Sequence, residues 1–100
     1  MVRYEVKITA NAQLGLSKIV ENHDNYTLDS SLRYINAIRQ LCSGLKTMPF
    51  RYEKRMINGT QYRSFTYKAH QIFYRVEEAE NLVLIIAVLN GAQDWTQNLV

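Results

Sequence analysis

Eight consecutive apolar residues, LVLIIAVL at positions 82–89, narrow the folding options of this chain more than any other stretch. A membrane-spanning helix needs about 20 such residues, so eight fall well short. Four of them (Val83, Ile85, Ile86 and Val88) are β-branched, which favours a strand over a buried helix. A strand without polar alternation has to be covered on both faces. The run therefore predicts the central strand of a sheet, and the rest of the chain must supply its neighbours and its cover. With 100 residues to do so, the expectation is a single domain, residues 1–100, with one core and one layer of helices.

The neighbours precede the run. Asn58-Gly59 is the strongest local signal, because both residues tolerate the positive φ that a two-residue type I′ hairpin turn requires. Residues 51–57 (RYEKRMI) carry much charge and suit an edge strand. In residues 60–68, Gln61, Arg63, Phe65 and Tyr67 share one face, and Tyr62, Ser64, Thr66 and Lys68 the other. In residues 70–76, His70, Ile72, Tyr74 and Val76 oppose Gln71, Phe73 and Arg75. The turn at Lys68-Ala69 has no glycine to set its geometry, and residues 77–81 (EEAEN) form an acidic turn into the apolar run.

The cover comes from the first half. Residues 3–9 alternate, with Tyr4, Val6 and Ile8 on one face, and predict a half-buried strand. Thr9 and Asn11 are competent N-caps for a helix in which Ala12, Leu16, Ile19, Val20 and His23 recur at helical spacing, with Gly15 tolerated at about 1 kcal/mol and residues 23–25 (HDN) ending it. Thr27 or Asp29 caps a second helix with a stripe of Leu32, Ile35, Ile38, Leu41, Cys42 and Leu45, and Arg33, Asn36, Arg39 and Gln40 face water. Gly44 weakens its last turn and Pro49 stops it. A short break makes the helices an antiparallel hairpin. The fold class is α+β: an N-terminal strand and a helical hairpin packed on one face of a mainly antiparallel sheet of four to five strands. If each connection reverses direction, the first and last strands run parallel. Whether the first strand pairs at the centre or the edge of the sheet does not follow from the pattern.

The net charge is +3, but residues 46–75 hold seven positive charges (Lys46, Arg51, Lys54, Arg55, Arg63, Lys68 and Arg75) against Glu53 alone, a local +6 that leaves −3 elsewhere. Such a cluster is either a solvated strand face or a surface for acidic protein segments or phosphates. The single cysteine, Cys42, allows no internal disulfide and sits on an apolar helix face, as a packed core thiol does. His23 and His70 have no partners at metal-ligand spacing, so no metal and no cofactor is expected. The N-terminus MVRYEVKI has no long apolar segment and no small-residue cleavage site, which points to the cytoplasm and away from membranes.

No phosphate-binding glycine loop, nucleophile elbow or paired metal ligand appears. Cleavage of RNA through its 2′-hydroxyl needs a base, a cation for the phosphorane and an acid for the leaving oxygen. Lys54, Arg55, Arg63 and Arg75 suit the cation role, and Glu53 or His70 is a candidate base. The terminal residues TQNLV offer no acid. Function by binding is the better reading.

The order of these elements, together with Tyr62–Arg63–Ser64–Phe65, IFYRV at 72–76 and NGAQDW at 90–95, resembles the RelE/ParE superfamily of toxins from bacterial type II toxin–antitoxin modules. The likeness covers nearly the whole chain, residues 4–95. It implies a cytoplasmic toxin neutralised by a cognate antitoxin, in a hetero-oligomer in which a partly disordered antitoxin segment wraps the toxin and folds on binding. RelE-like members cut messenger RNA on the ribosome, and ParE-like members poison DNA gyrase. The 72–76 strand and the 91–95 ending are more similar to the ParE branch. Asn90 and Gln93 stand where the family commonly has His and Arg, which removes basic character near the last strand. The resemblance implies a partner-binding surface of Arg55, Tyr62, Arg63, Arg75, Asp94 and Trp95. For a RelE-like activity the corresponding set is Glu53, Lys54, Arg63 and Arg75. A degenerate, non-toxic member kept as an interaction module is a third reading, and DNA gyrase or the ribosome with its mRNA is the alternative target. Arg63 and Arg75 also read as ion-paired sheet residues, with Asp94 as one partner, and Trp95 as a hydrophobic lid.

Overall fold

The computed structural model describes residues 3–21, 27–91 and 99. Their order is β1 (Glu5–Ile8), α1 (Ala10–Glu21), α2 (Leu28–Ser43), a 3-10 turn (Gly44–Lys46), β2 (Glu53–Ile57), β3 (Thr60–Tyr67), β4 (His70–Glu77), a second 3-10 turn (Glu78–Glu80) and β5 (Leu82–Asn90). The five strands form one sheet in the order β1-β5-β4-β3-β2. All pairings are antiparallel except β1 with β5, which is parallel and puts β1 at the edge. The α+β architecture is as the periodicities predict. One position differs: β5 lies second in the sheet and β4 takes the middle, because β1 closes the side that β5 would otherwise present to solvent.

Local signals explain most boundaries. Thr9 caps α1, its Oγ1 accepting from the Ala12 N–H at 3.3 Å. Thr27, rather than Asp29, caps α2, accepting from the Ser30 N–H at 3.1 Å. Asn58 (φ +51) and Gly59 (φ +79) both sit in the left-handed region that the type I′ turn requires. The β3–β4 turn uses Lys68 at φ +52 in place of a glycine. The end of α1 expected at residues 23–25 lies outside the described residues.

The helix stripe on α2 runs through Ser31, Ile35, Ile38 and Cys42, continuing to Leu45. Leu32 is not part of it. It is 45 % exposed, because a 3.6-residue turn carries it past the sheet-facing line and onto the flank toward α1. Cys42 is a packed core thiol, and burial pushes it up to about 11 against the opposing pull of Arg39.

β5 feeds two cores. Tyr74 opposes Ile85 and Phe73 opposes Ala87, so Ile86 is an extra residue, a β-bulge. Before it, Val83 and Ile85 point to the helices. After it, Ala87 and Leu89 point to the opposite face, while Val88 stays with the helices. The carbonyls freed at the bulge are taken by the start of α1. Thr9 donates from its N–H (3.1 Å) and Oγ1 (2.8 Å) to Ile85 O, and Asn11 Nδ2 donates to Ile86 O at 3.0 Å. The second core is Ile57, Tyr62, Phe73, Ala87 and Leu89, closed by Leu99, which is 5 % exposed. An apolar run therefore is covered on both sides, by helices on one and by Leu99 on the other.

Candidate functional site

Residues directly opposite in neighbouring strands share a face. Lys54 stands opposite Arg63, Arg55 opposite Tyr62 and Glu53 opposite Ser64. Lys54 and Arg63 therefore lie on the helix side with Phe65. Glu53, Arg55 and Tyr62 lie on the other side, with Phe73 and Arg75. The set Glu53, Lys54, Arg63 and Arg75 is split between the two faces of the sheet.

Arg63 is anchored by backbone. Its Nη1 donates to Tyr52 O at 2.7 Å and Phe50 O at 3.1 Å, and its guanidinium lies over the Phe50 ring, 5.0 Å from the centroid. Phe50 in turn meets Tyr4 edge-on, and Tyr52 stacks on Phe65 at 4.6 Å. Tyr74 straps the same segment by donating its hydroxyl to Pro49 O at 2.8 Å. Burial pushes the Tyr74 phenol up to about 12, although Arg63 pulls the other way. The approach to β2 is thus held down by one guanidinium and one phenol.

On the opposite face, Tyr62 is 2 % exposed and packs in the second core. Arg55 Nε and Gln71 Nε2 both donate to Ser64 Oγ, at 2.9 and 3.4 Å. Among the described residues, Arg75 pairs with Glu77 through Nη2–Oε1 at 2.9 Å, while its Nε is buried with no hydrogen-bond partner. Asp94 and Trp95 lie outside the described residues.

Both arginines line a fork in the sheet. β3 and β4 are paired only from Arg63/Tyr74 to Tyr67/His70, although β3 begins at Thr60 and β4 runs on to Glu77. Where the ladder stops, a cleft of about 330 Å³ opens between residues 60–63 and 75–78, with Phe50 beside it. Arg63 and Arg75 are on its walls, and so are Glu77 and Glu78 of the acidic turn expected at residues 77–81. A missing continuation of strand pairing has no local signature, so the fork was not legible in sequence.

His70 is elsewhere. It begins β4, five residues from Arg75 or roughly 17 Å along the strand. There it faces the helices, its Nδ1 2.7 Å from Tyr34 Oη, and Tyr34 also contacts Tyr67 O at 3.2 Å. Lys68 Nζ lies over the Tyr34 and Tyr67 rings at 5.8 and 5.5 Å. This leaves His70 remote from both arginines of the fork. Glu53 is exposed on the edge strand.

A second concavity, about 410 Å³, lies between the helices, where Leu16, Val20, Leu32 and Ile35 form an apolar floor rimmed by Gln13, Asn36 and Arg39. Arg39 reaches across it to Gln13 Oε1 at 3.4 Å. Leu14 and Leu28 are further exposed apolar residues on these helices. Among the described residues no group of three or more His, Cys, Asp or Glu is placed to hold a metal, and no helix is long and apolar enough to cross a membrane. What the arrangement offers chemically is two fixed guanidiniums for anions and an apolar groove for an amphipathic segment.

Residues 6–95 match the profile of a family described as the ParE toxin of the type II toxin–antitoxin system parDE. Two solved structures share the fold. One is the chromosomal ParDE toxin–antitoxin system of P. aeruginosa (TM-score 0.75, 15 % identity, 90 % of this chain and 98 % of that one). The other is the RelBE2 toxin–antitoxin complex from Mycobacterium tuberculosis (TM-score 0.70, 22 % identity, 93 % of this chain and 97 % of that one). No curated protein sequence matches.

Proposed function

This chain belongs to the ParE toxin family of type II toxin–antitoxin systems, and from that premise we propose that it inhibits DNA gyrase by binding and is neutralised by a cognate antitoxin. The observation that carries the binding reading is the placement of the titratable groups. His70 is engaged with Tyr34, on the far side of the sheet from Arg75. Glu53 and Lys54 point to opposite faces. A general base must come within hydrogen-bond reach of the proton that it removes, and a cation must sit where the phosphorane charge develops. The split of these residues favours grip over cleavage.

The antitoxin reading draws on the helical groove. Leu32 and its neighbours form an apolar floor with a polar rim, which fits one face of an amphipathic helix read through anchors at i, i+3, i+4 and i+7. Such a segment gains area to offset its ordering entropy. Induction of this chain in a bacterial host is expected to arrest growth and raise DNA-damage signalling, and a neighbouring antitoxin reading frame is expected to rescue it. Growth arrest without that signalling would count against gyrase as the target.

A second reading is ribosome-dependent cleavage of mRNA. It is favoured by the cross-strand pair Lys54/Arg63, two cations side by side on one face. Cleavage of ribosome-bound mRNA by the purified chain, lost in Arg63→Ala, would support it.

A further inference from the structure

We infer that the outer edge of β2 is a docking site for an extended acidic peptide, which joins the five-stranded sheet along that edge. The peptide sets a carboxylate side chain opposite Lys54 and an apolar side chain opposite Met56. Its binding depends on neither the gyrase reading nor the antitoxin reading.

The hairpin register shows which main-chain groups are open. In a two-residue hairpin the pair flanking the turn exchanges both N–H···O bonds, and bonded pairs then alternate with unbonded ones along the ladder. Ile57 and Thr60 flank the Asn58-Gly59 turn, so Ile57, Arg55 and Glu53 direct their main-chain groups to β3. Lys54 and Met56 alternate with them and turn their N–H and C=O groups outward. β2 is the last strand of the sheet, and among the described residues neither Lys54 nor Met56 has a main-chain partner on that side. The opposite edge differs, because the Tyr4 N–H just ahead of β1 is bonded to Lys46 O.

The side chains select the occupant. Lys54 and Met56, two residues apart, share the helix-side face. Both are exposed, and Met56, at 67 %, is the most exposed large apolar side chain among the described residues. Charge guards a sheet edge against unwanted pairing. A guard of one sign still admits a strand of the other sign. A second copy of this chain does not fit. Pairing two β2 edges antiparallel through Lys54 and Met56 sets Arg55 directly opposite its own counterpart, and like charges so placed destabilise a ladder. A register with Lys54 opposite Lys54 has the same fault. A nucleic-acid backbone offers phosphate acceptors but no donors, so it leaves the outward carbonyls of both residues unmatched. A peptide supplies donors and acceptors in alternation. Antiparallel pairing is the more stable per residue, so the peptide reads apolar, any residue, acidic along its contact with Met56, Arg55 and Lys54.

The test is a titration of the folded chain with an acetylated and amidated seven-residue peptide of threonines, carrying Val at its third position and Glu at its fifth. The amide protons of Lys54 and Met56 are the readout, and the Arg55 amide, directed to β3, is the internal control. Without peptide, the Lys54 and Met56 amides are expected to exchange with solvent faster than that of Arg55. The peptide should move both resonances downfield and slow their exchange, while Arg55 stays in place. Exchanging the peptide's Glu for Lys should weaken binding by about three- to tenfold, the scale of replacing an opposite-charge cross-strand pair by a like-charge one. A peptide N-methylated at its Val and Glu keeps both side chains but lacks the donors that face β2, and it should not bind. Met56→Pro removes one outward N–H where an edge strand tolerates proline, and it should abolish binding with the circular dichroism unchanged. Slow exchange of the Lys54 and Met56 amides in the free chain, equal binding of the Glu and Lys peptides, or binding of the N-methylated peptide would overturn the assignment.

Discussion

Gly15 of α1 faces the carbonyl oxygen of Val88 in β5 so closely that a Cβ on residue 15 would stand 2.3 Å from that oxygen and 3.1 Å from the Val88 Cβ. No flexible side chain intervenes, so either helix or strand would have to move. A mid-helix glycine ordinarily costs about 1 kcal/mol relative to alanine. Here the sign reverses, because overpacking costs about 1–3 kcal/mol. Gly15→Ala is expected to lower the urea midpoint with an unchanged slope. Gly44→Ala is the contrast. Gly44 has right-handed helical angles, and a Cβ there would meet nothing closer than Arg51 Nη1 at 4.0 Å, so that variant should be neutral or stabilised by up to about 1 kcal/mol.

That reversal shows where sequence reading stops. Periodicity is a property of each segment, and it sufficed for the Tyr62/Phe65 face assignment, the Asn58-Gly59 turn and the edge position of β2. Gly15 read as a tolerated defect because its reason, Val88, lies 73 residues away. The same holds for the site. Arg63 and Arg75 were visible as cations on adjacent strands, but the fork between them depends on where pairing ends. The second core was half legible: the unbroken run 82–89 demanded cover on both sides, yet nothing local pointed to Leu99 or to the bulge at Ile86 that turns Ala87 and Leu89 toward it.

Leu99 closes the second core, so Leu99→Ala should cost about 2–5 kcal/mol, the range for truncating a buried leucine. Equilibrium unfolding measures the loss. Increased binding of a hydrophobic dye by the folded variant would report the newly exposed Tyr62 and Phe73. A change within about 0.5 kcal/mol, the range of ordinary surface substitutions, would mean that Leu99 covers nothing of consequence.

Arg63→Lys tests the anchor. A lysine cannot present two donors in one plane to Phe50 O and Tyr52 O. The expected loss is about 1–3 kcal/mol, the scale of hydrogen bonds from a charged donor. Lys54→Ala, on the residue directly opposite, should stay within about 0.5 kcal/mol of the parent, because Lys54 is exposed on the edge strand. Equal effects at the two positions would show that bulk charge, not the carbonyl contacts, holds the segment.

Alkaline stability follows from Tyr74 and Cys42. Both groups are raised in the folded state, from 10 to about 12 and from 9 to about 11. Above its unfolded value each group keeps its proton in the native state while the unfolded chain loses it, so stability falls as pH rises. The decline should begin near pH 9 and continue to about 12, and it should be complete in neither group below its folded value. Tyr74→Phe should leave only the Cys42 decline, which ends near pH 11, and ultraviolet titration of phenolate should lose a component near pH 12.

The most direct measurement for the proposed activity is plasmid supercoiling by purified gyrase with the purified chain added, run beside ribosome-bound mRNA exposed to the same preparation. The account predicts that supercoiling stops, gyrase-linked DNA breaks accumulate, both effects vanish when the cognate antitoxin is present, and the mRNA stays intact. Undisturbed supercoiling together with cut mRNA would contradict it.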